Sequence, residues 1–162
     1  MSKNNGKSYS KEEREAFIAK KREAREQVFA ILFEMTFTND SYKDILDNAV
    51  ESRLIVADDY TTKILEYYSS HKDEIDEIIK ANIKGWTFER LSRVPLSIMR
   101  LALCEIRCCK TPESVAVNEA VELTKKYAAP KEASFVNAVL AAAVRRSDDE
   151  KIDSGEKSED EQ

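Results

Sequence analysis

The sequence predicts an all-α fold, and three observations point to it. The 162 residues include only three glycines and three prolines, too few for the many turns of an all-β chain. Apolar residues recur three or four positions apart along most of the chain, which is the period of an amphipathic helix. No segment alternates apolar and polar residues as a half-buried strand does. We therefore expect one compact bundle of about seven helices.

The first half of the chain contains four predicted helices. The first covers residues 11 to about 37, and its polar front half is expected to project beyond the core. Its second half carries an apolar stripe at helical spacing, formed by Ala24, Val28, Ile31, Leu32 and Met35. A turn with capping side chains precedes a second helix over about 42–53. Asp58 or Asp59 caps a third helix, and a fourth covers about 73–83 and ends near Gly85.

The second half contains three more predicted helices after a connector at residues 86–93, in which Trp86 and Phe88 are expected to be core residues. Pro95 and Pro112 each suit the first turn of a helix, where proline loses no intrahelical hydrogen bond. The last helix is expected over about 131–146.

The chain ends differ in composition from the predicted domain. Residues 1–10 are expected to be a flexible N-terminus, and residues 11–146 the helical domain. Residues 147–162 contain a single apolar residue and are expected to be a disordered acidic tail.

Charge is unevenly distributed along the sequence. The formal net charge is −5, but residues 147–162 hold eight acids and two lysines and leave a balance of +1 for the rest. Residues 1–30 are basic, with eight Lys or Arg and five Asp or Glu. A basic N-terminal segment on an otherwise nearly neutral domain indicates an anionic partner.

The clearest basic cluster is Lys20, Lys21, Arg22 and Arg25. On a helix the last three share one side, where they can contact phosphates. The glutamates interleaved among them leave a second interpretation open, in which the cluster is an ordinary solvated surface with ion pairs.

Several classes of chemistry are excluded or disfavoured. Gly85 is the only glycine away from the chain ends, which excludes glycine-rich phosphate loops. Cys104, Cys108 and Cys109 lie within six residues, and the single histidine, His71, is remote in sequence. These residues make neither a disulfide framework nor a zinc site, so we expect packing thiols in a reducing cytosol and no metal or cofactor. The sequence also predicts no membrane span and no signal peptide.

Three ordered motifs in the second half carry a family resemblance. Residues 98–106 read IMRLALCEI, residues 117–127 read VNEAVELTKKY and residues 135–140 read FVNAVL. In this order and spacing they resemble the NusB family of bacterial transcription antitermination factors. The segment AREQVFAILFEM, residues 24–35, resembles the first helix of that family. The resemblance covers roughly residues 20–144.

The resemblance implies a fold of two small helical subdomains and a non-catalytic role without cofactors. It implies binding of boxA-type single-stranded RNA from the leaders of ribosomal RNA operons, together with a small-subunit ribosomal protein acting as NusE. It further implies loading onto RNA polymerase with other Nus factors, which suppresses premature termination.

The resemblance also assigns site residues. The arginine-rich segment of the family matches Lys20, Lys21, Arg22 and Arg25, and an exposed aromatic residue for RNA matches Phe135. An aromatic residue for the partner protein matches Phe33. For both phenylalanines, burial in the core remains an open alternative.

Two departures from the family pattern accompany these matches. Ala138 stands where the family has glycine. If another group approaches the backbone closely at that point in the family, the added methyl group of alanine hinders that approach. Lys131 stands where relatives often have an acid, and a cation there favours an RNA phosphate.

Two other functions remain open. One is the NusB-like domain of a truncated ribosomal RNA cytosine methyltransferase. The other is a helical bundle that binds proteins and has lost RNA binding.

Overall fold

The structure is a computed structural model that describes residues 6–154. Within this range it contains six α-helices and no strand: α1 (Lys11–Met35), α2 (Tyr42–Glu51), α3 (Asp59–Asn82), α4 (Arg93–Cys108), α5 (Glu113–Tyr127) and α6 (Pro130–Asp153). A single 3-10 turn at Phe88–Arg90 lies between α3 and α4. The predicted all-α fold is confirmed.

The third and fourth predicted helices are one helix, α3, with a kink inside it. At His71 the backbone leaves the helical region, with φ −127° and ψ 22°. The His71 ring stacks on that of Tyr67 with 4.0 Å between centroids, and its Nδ1 lies 2.9 Å from the Tyr67 carbonyl oxygen. The polar segment around His71 therefore bends the chain without ending the helix.

Side chains of the expected types cap the first three helices. Ser10, Ser41 and Asp58 each accept a hydrogen bond from a backbone N–H in the first turn of the helix that follows. Glu13 returns a bond to the Ser10 N–H, which completes a capping box at α1. Because these hydrogen bonds join residues that are close in sequence, the starts of the three helices could be predicted from the sequence.

One hydrophobic core runs through both halves of the chain. The apolar stripe of α1, the buried faces of α3 and α6, and most of α4 pack together, with residues such as Ile64, Met99 and Leu140 fully buried. Because α4 packs against both α1 and α3, the halves α1–α3 and α4–α6 share this core. All residues from 11 to 20 are exposed, so the front of α1 projects beyond it as expected.

The last helix is longer than predicted. It continues past Arg146 to Asp153, so residues 147–153, expected to be disordered, are helical. Arg146 donates a hydrogen bond of 2.8 Å to the Ala81 carbonyl oxygen, which holds this turn against the end of α3. No glycine or proline interrupts the segment before Gly155. Residues 155–162 of the predicted tail, and residues 1–5, lie outside the described residues.

No helix in the described part of the chain combines the length and the apolar character needed to cross a membrane.

Candidate nucleic-acid interface

The basic cluster of α1 divides into exposed and buried members. Lys20 is exposed and forms no ion pair with any described residue. Lys21 is half-buried, and its Nζ lies 4.7 Å from the centroid of the Tyr60 ring in a cation–π contact. The Arg22 side chain is 56% exposed and binds Glu119 of α5 through Nε at 3.1 Å. Lys20, Lys21 and Arg22 therefore stand at or near the surface.

Arg25 lies inside the protein instead. Its Nη2 is 2.7 Å from Oε1 of Glu105 on α4, and its Nε also donates to this carboxylate. Only 9% of Arg25 is exposed. Helical spacing predicts that Arg25 shares one side of α1 with Lys21 and Arg22. It does not reveal that α4 covers this side of α1 at Arg25. The structure thus buries Arg25, although its Nη1 also lies 3.8 Å from Oε2 of Glu119, the carboxylate that binds Arg22.

A cleft of about 740 Å³ between α1 and α5 contains further ion pairs. The Glu119 carboxylate raises the pKa of Arg22 above its ordinary value by hydrogen bonding and charge. Glu26 pairs with Lys126, and it also accepts a 3.3 Å hydrogen bond from the Tyr127 hydroxyl. Acidic partners therefore neutralise much of the positive charge in this cleft.

A second surface forms where the connector after α3 meets the start of α6. The rings of Trp86 and Phe135 lie 5.7 Å apart at an angle of 60°. They line a groove of about 510 Å³ whose walls also include Arg90 and Lys131. Trp86 is 54% exposed, Phe135 is half-buried, and Lys131 is exposed. This groove places two aromatic faces beside two cations.

Trp86 is the residue that sequence reasoning misplaced, since it was expected in the core. It directly follows Gly85, whose φ of 73° turns the chain after α3. The turn leads the chain away from α3, and the indole packs beside the Phe135 ring while 54% of Trp86 stays exposed. The signal available in the sequence was a lone tryptophan immediately after a glycine turn.

Ala138 lies on the exposed face of α6. Its methyl group points away from the core, so the departure from the family glycine is compatible with the fold.

A row of aromatic rings extends along α1 toward the connector. Phe29 lies 5.1 Å from Tyr127 and 5.9 Å from Phe33, and Phe33 lies 5.0 Å from Phe37. The Arg93 guanidinium stands 4.0 Å above the Phe37 ring. Phe33 is half-buried, whereas Phe37 is 58% exposed, so the row reaches the surface at Phe37.

The part of the chain that the structure describes contains no group of three or more His, Cys, Asp or Glu side chains placed to bind a metal ion.

Comparison with known proteins identifies the family of the chain. A model of the NusB family matches residues 22–145. The chain is 37% identical over 141 residues to the transcription antitermination protein NusB of Clostridium botulinum strain Hall, covering 76% of this chain and 99% of that protein. It is 38% identical over 123 residues to the protein of the same name from Listeria monocytogenes serotype 4a, covering 75% and 94%.

Solved structures agree with this assignment. A crystal structure of the antitermination factors NusB and NusE in complex with dsRNA matches with a TM-score of 0.69 and 28% identity, over 78% of this chain and 96% of the other. The solution structure of NusB from Aquifex aeolicus matches with a TM-score of 0.67 and 30% identity, over 85% and 93%. From the family match, the identities and the shared fold, we conclude that this chain belongs to the NusB family.

Proposed function

We propose that this protein is a non-catalytic transcription antitermination factor that binds boxA-type single-stranded RNA together with a small-subunit ribosomal protein acting as NusE. The relatives reported above are named transcription antitermination proteins, and the chain covers nearly all of their length. This similarity to antitermination proteins favours an antitermination factor over the NusB-like domain of a methyltransferase.

The observation that carries the proposal is the groove that Trp86 and Phe135 line. Recognition of single-stranded RNA needs flat groups on which bases stack and cations that hold the backbone. Trp86 and Phe135 supply two faces 5.7 Å apart, and Lys131 and Arg90 stand at the same groove. A base that stacks on Trp86 brings its phosphate within reach of these cations.

The cations of α1 at or near the surface are the second part of the proposed RNA site. We assign phosphate contacts to Lys20, Lys21 and Arg22, and we assign to Arg25 the separate role of fixing α1 against α4 through Glu105. A helix end that presents cations offers no fixed site for a base edge, so these contacts strengthen binding to any RNA. Sequence preference then comes from stacking in the groove and from the partner protein.

The aromatic row of α1 is the proposed contact for the ribosomal protein. Aromatic residues often dominate the energy of protein interfaces, and Phe37 is exposed beside the half-buried Phe33. The structural similarity to NusB in a complex with NusE and dsRNA supports NusE and RNA as partner classes. In this proposal the loaded complex joins other Nus factors on RNA polymerase.

Trp86 is the only tryptophan in the chain, which gives a direct test. Titration with boxA RNA should quench the indole fluorescence to a saturable end point, because a stacked base contacts the ring. A Lys43→Ala variant, changed at an exposed lysine of α2, should give the same curve as the unchanged protein. Saturable RNA binding by gel shift without any change in Trp86 fluorescence would remove Trp86 from the site.

A further inference from the structure

The end of α4 carries two adjacent cysteines whose sulfur atoms converge. Neighbouring residues on a helix ordinarily point about 100° apart and do not face each other. The Sγ atoms of Cys108 and Cys109 nevertheless lie only 3.7 Å apart. Both side chains are half-buried, so a small solute can reach them. The RNA surface proposed above uses neither thiol.

The three cysteines of α4 have different environments. Cys104 is fully buried, and burial raises the pKa of its thiol to about 12. The hydrogen bond between Cys108 and Cys109 raises the pKa of Cys108 and lowers that of Cys109 to about 7. Lys63 and Lys21 also lower the pKa of Cys109, against the opposing effect of burial. Cys109 is therefore the thiol with the most thiolate character at neutral pH.

The backbone at this point allows the two sulfurs to approach each other. Cys109 is the C-terminal cap of α4, and Lys110 ends the helix with a φ of 52°. A single backbone hydrogen bond of 3.0 Å, from the Cys109 N–H to the Glu105 carbonyl oxygen, ties Cys109 to the helix. A disulfide bond is about 2.05 Å long. Adjacent Cα atoms lie about 3.8 Å apart, below the roughly 4.4–6.8 Å usual across a disulfide, so closing the gap strains the peptide between Cys108 and Cys109 at the end of α4.

We propose that the Cys108–Cys109 dithiol is a site of reversible oxidation by hydroperoxides. The Cys109 thiolate attacks one peroxide oxygen, the O–O bond breaks, and the second oxygen leaves as hydroxide. Cys109 is then a sulfenic acid, oxidised by two electrons. The Cys108 sulfur attacks the Cys109 sulfur, the S–S bond forms, the S–O bond breaks, and water leaves with the Cys108 proton. With hydrogen peroxide, the hydroxide takes up the proton that the Cys109 thiol released on ionising, so one molecule of oxidant becomes two of water.

Peptide mapping tests this on the full chain. The reduced protein is treated with one equivalent of hydrogen peroxide at neutral pH, alkylated under denaturing conditions and cleaved after glutamate. Cleavage at Glu89, Glu105 and Glu113 separates Cys104, on residues 90–105, from the dithiol, on residues 106–113. We expect peptide 106–113 to lose about 2 Da and to take no alkyl group. If the oxidised protein is first reduced with dithiothreitol, alkylation should add two alkyl groups to peptide 106–113. Peptide 90–105 should carry its single alkyl group in every sample.

Three single variants assign the roles of the sulfurs. Cys109→Ser should lower the rate of peroxide consumption at least about tenfold, since the thiolate is the nucleophile. In the Cys108→Ser protein the oxidation should stop at the Cys109 sulfenic acid, which a 1,3-dicarbonyl probe detects. Cys104→Ser should react like the unchanged chain. The proposal is overturned if Cys109→Ser reacts at the original rate, if Cys104 oxidises as fast as the dithiol, or if the disulfide links two chains.

Discussion

Arg25 and Glu105 form a buried ion pair that joins α1 to α4, with 2.7 Å between Nη2 and Oε1. Arg25 is 9% exposed and Glu105 only 2%. The Thr111 hydroxyl donates a further hydrogen bond of 3.2 Å to the same carboxylate. Charges this far from water are tolerated only when they are paired. The pair therefore fixes the position from which the basic part of α1 leaves the core.

The first prediction concerns the stability that depends on this pair. Arg25→Met leaves the Glu105 carboxylate buried without its partner, and should lower the free energy of unfolding by about 3–5 kcal/mol. Replacing both partners, Arg25→Met with Glu105→Leu, should recover most of that loss, because no unpaired charge remains. Urea unfolding measures both changes.

Arg22→Met is the matched control, because the Arg22 side chain is 56% exposed in its pair with Glu119. We expect it to leave the free energy of unfolding nearly unchanged, because water screens an exposed ion pair. If the Arg22 and Arg25 substitutions lower the free energy of unfolding equally, the buried pair contributes no more to stability than the exposed pair.

The second prediction is the salt dependence of RNA binding. Each lysine that neutralises one phosphate contributes about 0.7 to the slope of log K against log salt for single-stranded RNA. Lys20→Ala and Lys131→Ala should each lower the slope by about that amount, and should weaken boxA and scrambled RNA by similar factors. Lys43→Ala on α2 should leave it unchanged. If all three variants have the same slope as the original protein, then neither Lys20 nor Lys131 contacts a phosphate.

The third prediction separates stacking from packing at the groove. Trp86 is 54% exposed, so Trp86→Ala should cost about 1–3 kcal/mol of RNA binding and leave the melting temperature nearly unchanged. Phe135 is half-buried, so Phe135→Ala should weaken RNA binding and also destabilise the fold, by less than the roughly 3–5 kcal/mol of a fully buried phenylalanine.

Leu54→Ala provides the control for both substitutions, since Leu54 is 79% exposed in the loop between α2 and α3. It should affect neither RNA affinity nor melting. A Trp86→Ala protein that binds boxA RNA as tightly as the original would contradict the stacking assignment.

The fourth prediction concerns the acidic end of the chain. Residues 148–153 are helical but exposed, and Asp148, Asp149 and Asp153 lie near the negative end of the α6 dipole. Deleting residues 148–162 should therefore shift the melting temperature by no more than about 2 °C. A large drop in a calorimetric melt would mean that this segment is docked on the domain.

We also propose that this acidic segment competes with RNA for the basic cluster of α1. The deletion should then tighten RNA binding at low salt and have little effect at high salt, where screening removes the competition. Unchanged affinity at low salt would argue against the competition.

Local features of the fold could be predicted from the sequence. Ser41 and Asp58 cap the helices that follow them because the caps need only residues three positions away. The apolar stripe of α1 predicts its buried face for the same reason, since helical periodicity is a local property. Thr111 directly precedes Pro112 at the start of α5, but its hydroxyl binds Glu105 and does not cap the helix.

Features that depend on distant residues could not be predicted. Nothing near Arg25 reveals that Glu105, eighty positions later, draws it into the core. Trp86 stands outside because Phe135 and the turn at Gly85 meet there, which is a tertiary arrangement. The extension of α6 likewise depends on the contact of Arg146 with the end of α3. These positions include the ones that shape the candidate RNA surface.

The most direct test of the proposed function is a gel shift with boxA RNA, with and without the small-subunit ribosomal protein, and with scrambled RNA as control. We expect a shift with boxA RNA that strengthens when the ribosomal protein is added, and weaker, strongly salt-sensitive binding of the scrambled RNA. The Trp86→Ala protein should lose affinity in both the presence and the absence of the partner. If boxA RNA is not shifted in either lane, the chain is not the RNA-binding antitermination factor proposed here.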